Sequence, residues 1–109
     1  MSSLIDMPSW VVSDPKKSDK EIILCLGPRI HITKADFVEF IQIANEMLSA
    51  IKPGMKFTIQ DLTGDEYWLS KSIYQRITLG RITSWLVNHG YTPFTYADDT
   101  CRTPKRYML

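Results

Sequence analysis

From Glu21 the chain reads EIILCL, an apolar run of strand length, then Gly27-Pro28, then RIHI, in which polar and apolar residues alternate. An apolar run, a turn pair and period-two alternation predict a β-hairpin. The period then changes. Phe37, Phe40, Ile41, Ala44, Met47, Leu48 and Ile51 recur three and four apart, which predicts one continuous apolar face on a helix over 34–51. Thr33 offers the N-cap, Asp36 stands three residues on where a capping carboxylate helps, and Pro53-Gly54 ends the helix.

Met55 to Phe57 is long enough only for a single bridge of strand. Thr58 and Asp61 repeat the capping pattern and start a second, shorter helix, which Gly64 interrupts. In GDEYWLSKSIYQ, Tyr67, Trp68 and Leu69 favour burial, while Ser70 and Ser72 each offer a cap for the next helix. That third helix lies between Ile73 and His89 and is closed by Gly90, which can take the left-handed conformation of a helix end. TPFTY and KRYML predict two further strands, joined by the polar loop ADDTCRTP with turn residues at Asp98-Asp99 and Pro104. Residues 1–20, with Pro8, Pro15 and SDPKKSDK, read as an arm anchored by Trp10, Val11 and Val12 on this domain or on a second copy. The domain proper is then 21–109, with its core in 34–109.

A length of 109 residues suits one small domain, and 44% hydrophobic with 23% charged residues is the composition of a globular one. No apolar run approaches the roughly 18 residues that span a bilayer, and MSSLIDMPSW lacks the basic end and apolar centre of a signal peptide, so a cytoplasmic protein is expected. Cys25 and Cys101 belong to no ligand pattern and are expected as buried, unpaired thiols. Net charge is +1, but residues 1–66 carry −3 and residues 67–109 carry +4. The basic surplus therefore sits on the third helix and the strands after it.

The element order and three motifs carry a resemblance. FTIQDL opening the second helix, LGRITSWLVNHGY as third helix and exit, and TPFTYADDTCRTPKRYML as a two-stranded wing make residues 34–109 resemble a winged helix-turn-helix DNA-binding domain. The pattern F-T-x-x-D-L, then L-G-R, then a helix ending in G-Y, is also similar to small uncharacterised bacterial and phage domains. The resemblance implies an α+β fold of three helices and a wing, preceded here by the arm and hairpin. It also implies a third helix that enters the major groove of double-stranded DNA, in a small bacterial, phage or plasmid transcriptional regulator. Carried onto this chain, the third-helix contacts fall on Tyr74, Gln75, Arg76, Thr78, Arg81 and Ser84, and the wing contacts on Arg102, Lys105 and Arg106. The acidic wing tip, Asp98-Asp99, moves the expected wing contacts to the flanking strands. One such module would need to dimerise for operator specificity, through the arm, hairpin or first helix. The alternative is a winged helix used for protein contacts, as an assembly subunit or an inhibitor of a host complex, without DNA.

RITLGRIT, residues 76–83, holds two arginines five apart, about 140° from each other around a helix. Leu79, Ile82 and Leu86 define the buried face with Trp85 on its flank, so Arg81, Ser84 and Asn88 are expected on the exposed side. Arg76 lies beside Arg81 only loosely, at the helix start or before it. Gly80 costs a helix roughly 1 kcal/mol relative to Ala, which suggests close approach of another backbone, protein or ligand. Trp68 and Trp85 are expected in the core. No catalytic site, metal or cofactor is expected: His31 and His89 have no partner at ligand spacing, and His89 sits where a cation near the last helix carbonyls is favourable. Asp65-Glu66 and Asp98-Asp99 are adjacent pairs that diverge, and the five glycines are isolated.

Overall fold

The computed structural model describes residues 4–6, 22–27, 29–97 and 105–109. β1 (Ile22–Gly27) and β2 (Ile30–Thr33) pair antiparallel, with Cys25 opposite His31 and Gly27 opposite Ile30, as the alternation predicts. The register slips twice along β1, between Ile22 and Leu24 and again between Cys25 and Gly27. Period-two alternation places Leu24 and Leu26 against the core and Cys25 on the other side, so its thiol is exposed rather than buried. Cys101 lies outside the described residues.

The chain passes directly from β2 into α1 (Lys34–Leu48), with the Thr33 hydroxyl accepting from the Asp36 amide at 3.3 Å. Phe37, Phe40, Ile41, Ala44 and Leu48 of the predicted face are buried and Ile51 is half-buried, whereas Met47, expected on the same face, is exposed. The helix stops three residues short of the expected end. Ala50 and Ile51 donate instead to Met47 and Leu48, and Lys52 precedes a proline, a position that disfavours helical backbone.

β3 (Lys56–Phe57) leads into α2 (Ile59–Thr63) through a complete capping box: Thr58 N donates to Asp61 Oδ2 at 3.0 Å and Asp61 N to Thr58 Oγ1 at 3.3 Å. Gly64, at φ 87, breaks the segment and α3 (Asp65–Leu69) follows. The region expected as one interrupted helix is therefore two helices of a single turn or slightly more, and the described fold has four helices. Ser70 closes α3, its hydroxyl donating to Tyr67 O at 2.6 Å. Ser72 is the cap of α4 (Ile73–Asn88), in a reciprocal box with Gln75. At the far end Tyr91 N donates to Leu86 O and Gly90 N to Val87 O, with Gly90 at φ 77, the paired bonds of a Schellman closure.

β4 (Thr95–Tyr96) and β5 (Tyr107–Met108) complete a three-stranded antiparallel sheet in the order β3-β5-β4. Each strand is two residues long, fewer than TPFTY and KRYML suggest, and such short ladders are marginal alone. The sheet's aromatic side chains compensate: Phe57, Phe94 and Tyr107 meet with ring centroids 5.2–6.1 Å apart, and Tyr96 adds a fourth ring at 5.6 Å from Tyr107. Phe57, Phe94 and Tyr107 are fully buried in the same core as Phe37, Phe40, Leu62, Ile82 and Leu86. Ile5 also enters this core, its N–H on Asn45 Oδ1 at 2.8 Å, while Asp6 N donates to Tyr91 O at 2.8 Å. The anchoring expected of Trp10, Val11 and Val12 falls outside the described residues; the observed anchor is Ile5.

Tyr107 and Ser84 bring two buried hydroxyls together. Among the described residues neither makes a hydrogen bond of full geometry, yet Ser84 is near enough to act on the phenol as a donor. Burial pushes the Tyr107 phenol up from 10.0 to about 12, against the opposing pull of Ser84 and with a smaller push from Tyr96. A raised folded value means that the native state holds the proton longer than the unfolded chain. Stability from this group is complete below the unfolded value and is lost as pH rises through about 12. We predict that the thermal unfolding midpoint falls above about pH 10, and that Tyr107→Phe makes the fall shallower; the loss of one late phenolate transition from the variant's absorbance titration identifies the group.

Candidate nucleic-acid interface

α4 carries six of the nine side chains that the sequence singles out, and their surroundings separate them sharply. Gln75 is committed to its own helix start, its side-chain oxygen accepting from Ser72 N at 2.8 Å. Arg76 is inside the helix, and its guanidinium turns back on α3: Nε donates to Trp68 O at 3.1 Å and Nη2 to Leu69 O at 3.5 Å, with the charge 5.8 Å from the Trp68 ring centre. It adds side-chain donors to carbonyls at the end of α3, where Trp68 O also accepts from Lys71 N at 3.2 Å. Thr78 Oγ1 donates to Tyr74 O at 2.9 Å, a bond within the helix.

Ser84 corrects the expectation of an exposed residue beside Arg81. Its hydroxyl is buried next to Tyr107, because β5 covers a flank of α4 that lies well away from the Leu79, Ile82 and Leu86 stripe. Asn88 is exposed as expected, and its side-chain oxygen accepts from Tyr96 OH at 3.3 Å, tying the end of α4 to β4. Among the described residues Gly80 has no close backbone neighbour outside its own helix. A Cβ built there would meet Ile59 Cδ1 at 3.8 Å, an ordinary side-chain contact. The glycine is thus not required by a close approach.

Two α4 candidates remain turned outward: Tyr74 and Arg81, both exposed. Arg81 makes no hydrogen bond or ion pair among the described residues. On the sheet side, Lys105 is half-buried beside a cleft shared with Thr58, Ile59, Gln60 and Trp68, at the start of α2. Arg106 is half-buried in the approach to β5, where its carbonyl accepts from Ala97 N at 2.9 Å. Arg102 and the acidic tip, Asp98-Asp99, lie outside the described residues. Because Tyr107 meets Ser84, and Ser84 is one helical turn from Arg81, the basic approach to β5 and the outer face of α4 belong to neighbouring elements.

The same outer face holds a feature that the sequence reading missed. Leu69, Ile73, Tyr74 and Ile77 are 64%, 67%, 68% and 47% exposed, an apolar group at the N-terminal end of α4 and the turn before it. A helical projection contained the signal: Ile73 and Ile77 lie about 180° and 140° from Ile82, on the side away from the core. His89 has a local role, its Nδ1 on Trp85 O at 2.8 Å, which requires the proton on that nitrogen, and its ring stacked 4.2 Å from Trp85. Trp68 and Trp85 are half-buried at the edge of the core rather than inside it. Among the described residues no cluster of three His, Cys, Asp or Glu side chains could hold a metal ion, and no helix is long and apolar enough to cross a membrane.

No protein family, curated protein or solved structure matches this chain.

The two arginines of RITLGRIT thus have different work. Arg76→Ala removes donors from the α3 carbonyls and should destabilise the fold by about 1–2 kcal/mol, whereas Arg81→Ala should stay within about 0.5 kcal/mol. Urea unfolding of the two variants checks this, and equal losses would contradict the assignment.

Proposed function

We propose that this chain is a winged-helix DNA-binding protein, a small transcriptional regulator that lays the outer face of α4 against duplex DNA and the approach to β5 against the backbone. The observation that carries the reading is the joint topology. A helix, a short strand, a turn of paired short helices, one long helix and a two-stranded return are combined with the sheet order β3-β5-β4. That is the arrangement expected of a winged helix, in which the long helix projects beside the wing. Arg81 supports it chemically: an exposed guanidinium with no partner among the described residues can bridge O6 and N7 of guanine without first breaking an ion pair. Lys105 and Arg106 would supply phosphate contacts, which fix register and carry no sequence information.

A homodimer fits operator recognition, since two modules then span two half-sites. Ile22 of β1 and Met47 of α1 are exposed apolar groups outside α4 that would serve it.

One observation favours a second reading, a winged helix used for protein contact. The exposed group of Leu69, Ile73, Tyr74 and Ile77 is apolar where a DNA-reading helix usually carries polar side chains. Thymine methyl groups can take part of such a surface, but a protein partner would take all of it.

Fluorescence anisotropy with a random duplex at two salt concentrations separates the readings. The DNA reading predicts binding that weakens with a log-log slope of about −4 to −5, corresponding to four to six phosphate contacts. Arg81→Ala should cost roughly 1–3 kcal/mol on a preferred sequence. Binding absent at low salt, or unchanged when Arg81→Ala is combined with Arg106→Ala, removes the DNA reading and leaves the protein-contact one.

A further inference from the structure

β2, the first turn of α1, the end of α3 and the N-terminal half of α4 enclose a groove of about 190 Å3. This is below the roughly 300–1,000 Å3 of a drug-sized site, so the groove suits a small occupant. The groove is chemically two-sided. Ile32 and Leu79, both buried in the core, give it an apolar floor, while Arg29 and Lys71 bring cationic groups to its lining. Arg29 is exposed and makes no hydrogen bond or ion pair among the described residues. Lys71 reaches Glu39 only at 3.9 Å and lies 4.7 Å from the Tyr67 ring centre, so its charge is only partly balanced.

Two further groups narrow the chemistry. Burial, then Glu39 and Asp36, push the Tyr67 phenol up to about 12, so it remains a neutral O–H donor at any working pH. Asp36, also on the lining, is acidic and would repel a second negative charge. A dianion such as a phosphate monoester is therefore disfavoured, and a monoanion is not. A carboxylate matches the planar fork of an arginine, which can meet both of its oxygens at once.

We propose that this groove binds a small organic monocarboxylate, with its apolar body on Ile32 and Leu79 and its carboxylate met by the Arg29 guanidinium. Tyr74 and Thr78 of α4 belong to the same lining, so an occupant touches the helix assigned to DNA. That regulatory consequence rests on the DNA reading; the binding itself does not.

The test is amide chemical-shift titration of the full chain with benzoate, beside benzyl alcohol, inorganic phosphate and a short duplex. Benzoate should give saturable shifts at Ile32, Thr78 and Leu79. Arg29→Gln, a change at an exposed position that should leave the fold intact, should weaken benzoate about tenfold and leave benzyl alcohol unaffected. No saturable shift with benzoate overturns the proposal, as does benzyl alcohol binding as tightly, phosphate moving the same amides equally, or Arg29→Gln without effect. Duplex moving Ile32 and Arg29 while benzoate does not reassigns the groove to nucleic-acid contact. Benzoate binding in a chain that does not bind duplex keeps the ligand site and removes only its regulatory consequence.

Discussion

The packing of Phe57, Phe94 and Tyr107 is the interaction on which the arrangement depends. Strands of two residues supply few ladder hydrogen bonds, and their order, β3-β5-β4, joins segments about fifty residues apart in the chain. Three fully buried aromatic rings, one contributed by β3, one by the residue before β4 and one by β5, bring those segments onto the helical core. Aromatic pairs at these separations add roughly 0.5–1.5 kcal/mol each beyond their area burial, whereas a lone two-residue strand pairing is marginal against chain entropy. The sheet is placed by its side chains, and its backbone bonds follow.

Placing the sheet constrains α4 on a second side. Leu79, Ile82 and Leu86 hold the helix to α1 and α2 through the core, while Tyr107 against Ser84 and Tyr96 against Asn88 hold it to β5 and β4. At its start, Ser72 and Gln75 satisfy each other's backbone amides and Arg76 fastens the helix to the end of α3. A helix fixed at both ends and on two flanks turns Ile73, Tyr74, Ile77 and Arg81 outward. Its composition, apolar at the N-terminal end and cationic in the middle, is what any partner must match.

The features legible in the sequence are the local ones. Thr58 with Asp61, the breaks at Gly64 and Gly90, and the stripe from Phe37 to Leu48 each act over a few residues, so the reading and the structure agree. The α+β class and the separation of the two arginines follow from the same local geometry. Ser84 was misplaced because a helical projection knows one core, whereas α4 has a second neighbour, β5, brought there by a non-local contact. Gln75 and Arg76 show the opposite case: S-x-x-Q at 72–75 was a readable capping signal, and it accounts for Gln75 before any ligand is considered. The groove lined by Arg29 and Lys71 was not readable, because it joins residues 42 positions apart that share no motif.

The most direct measurement is amide chemical-shift mapping of the isotope-labelled protein with a short duplex at low salt. If α4 and the approach to β5 form a DNA-binding face, shifts concentrate at Arg81 and its outward neighbours on α4 and at Lys105 and Arg106, and they recede as salt is raised. No shifts at low salt, or shifts confined to Leu69, Ile73 and Ile77 and insensitive to salt, would contradict it.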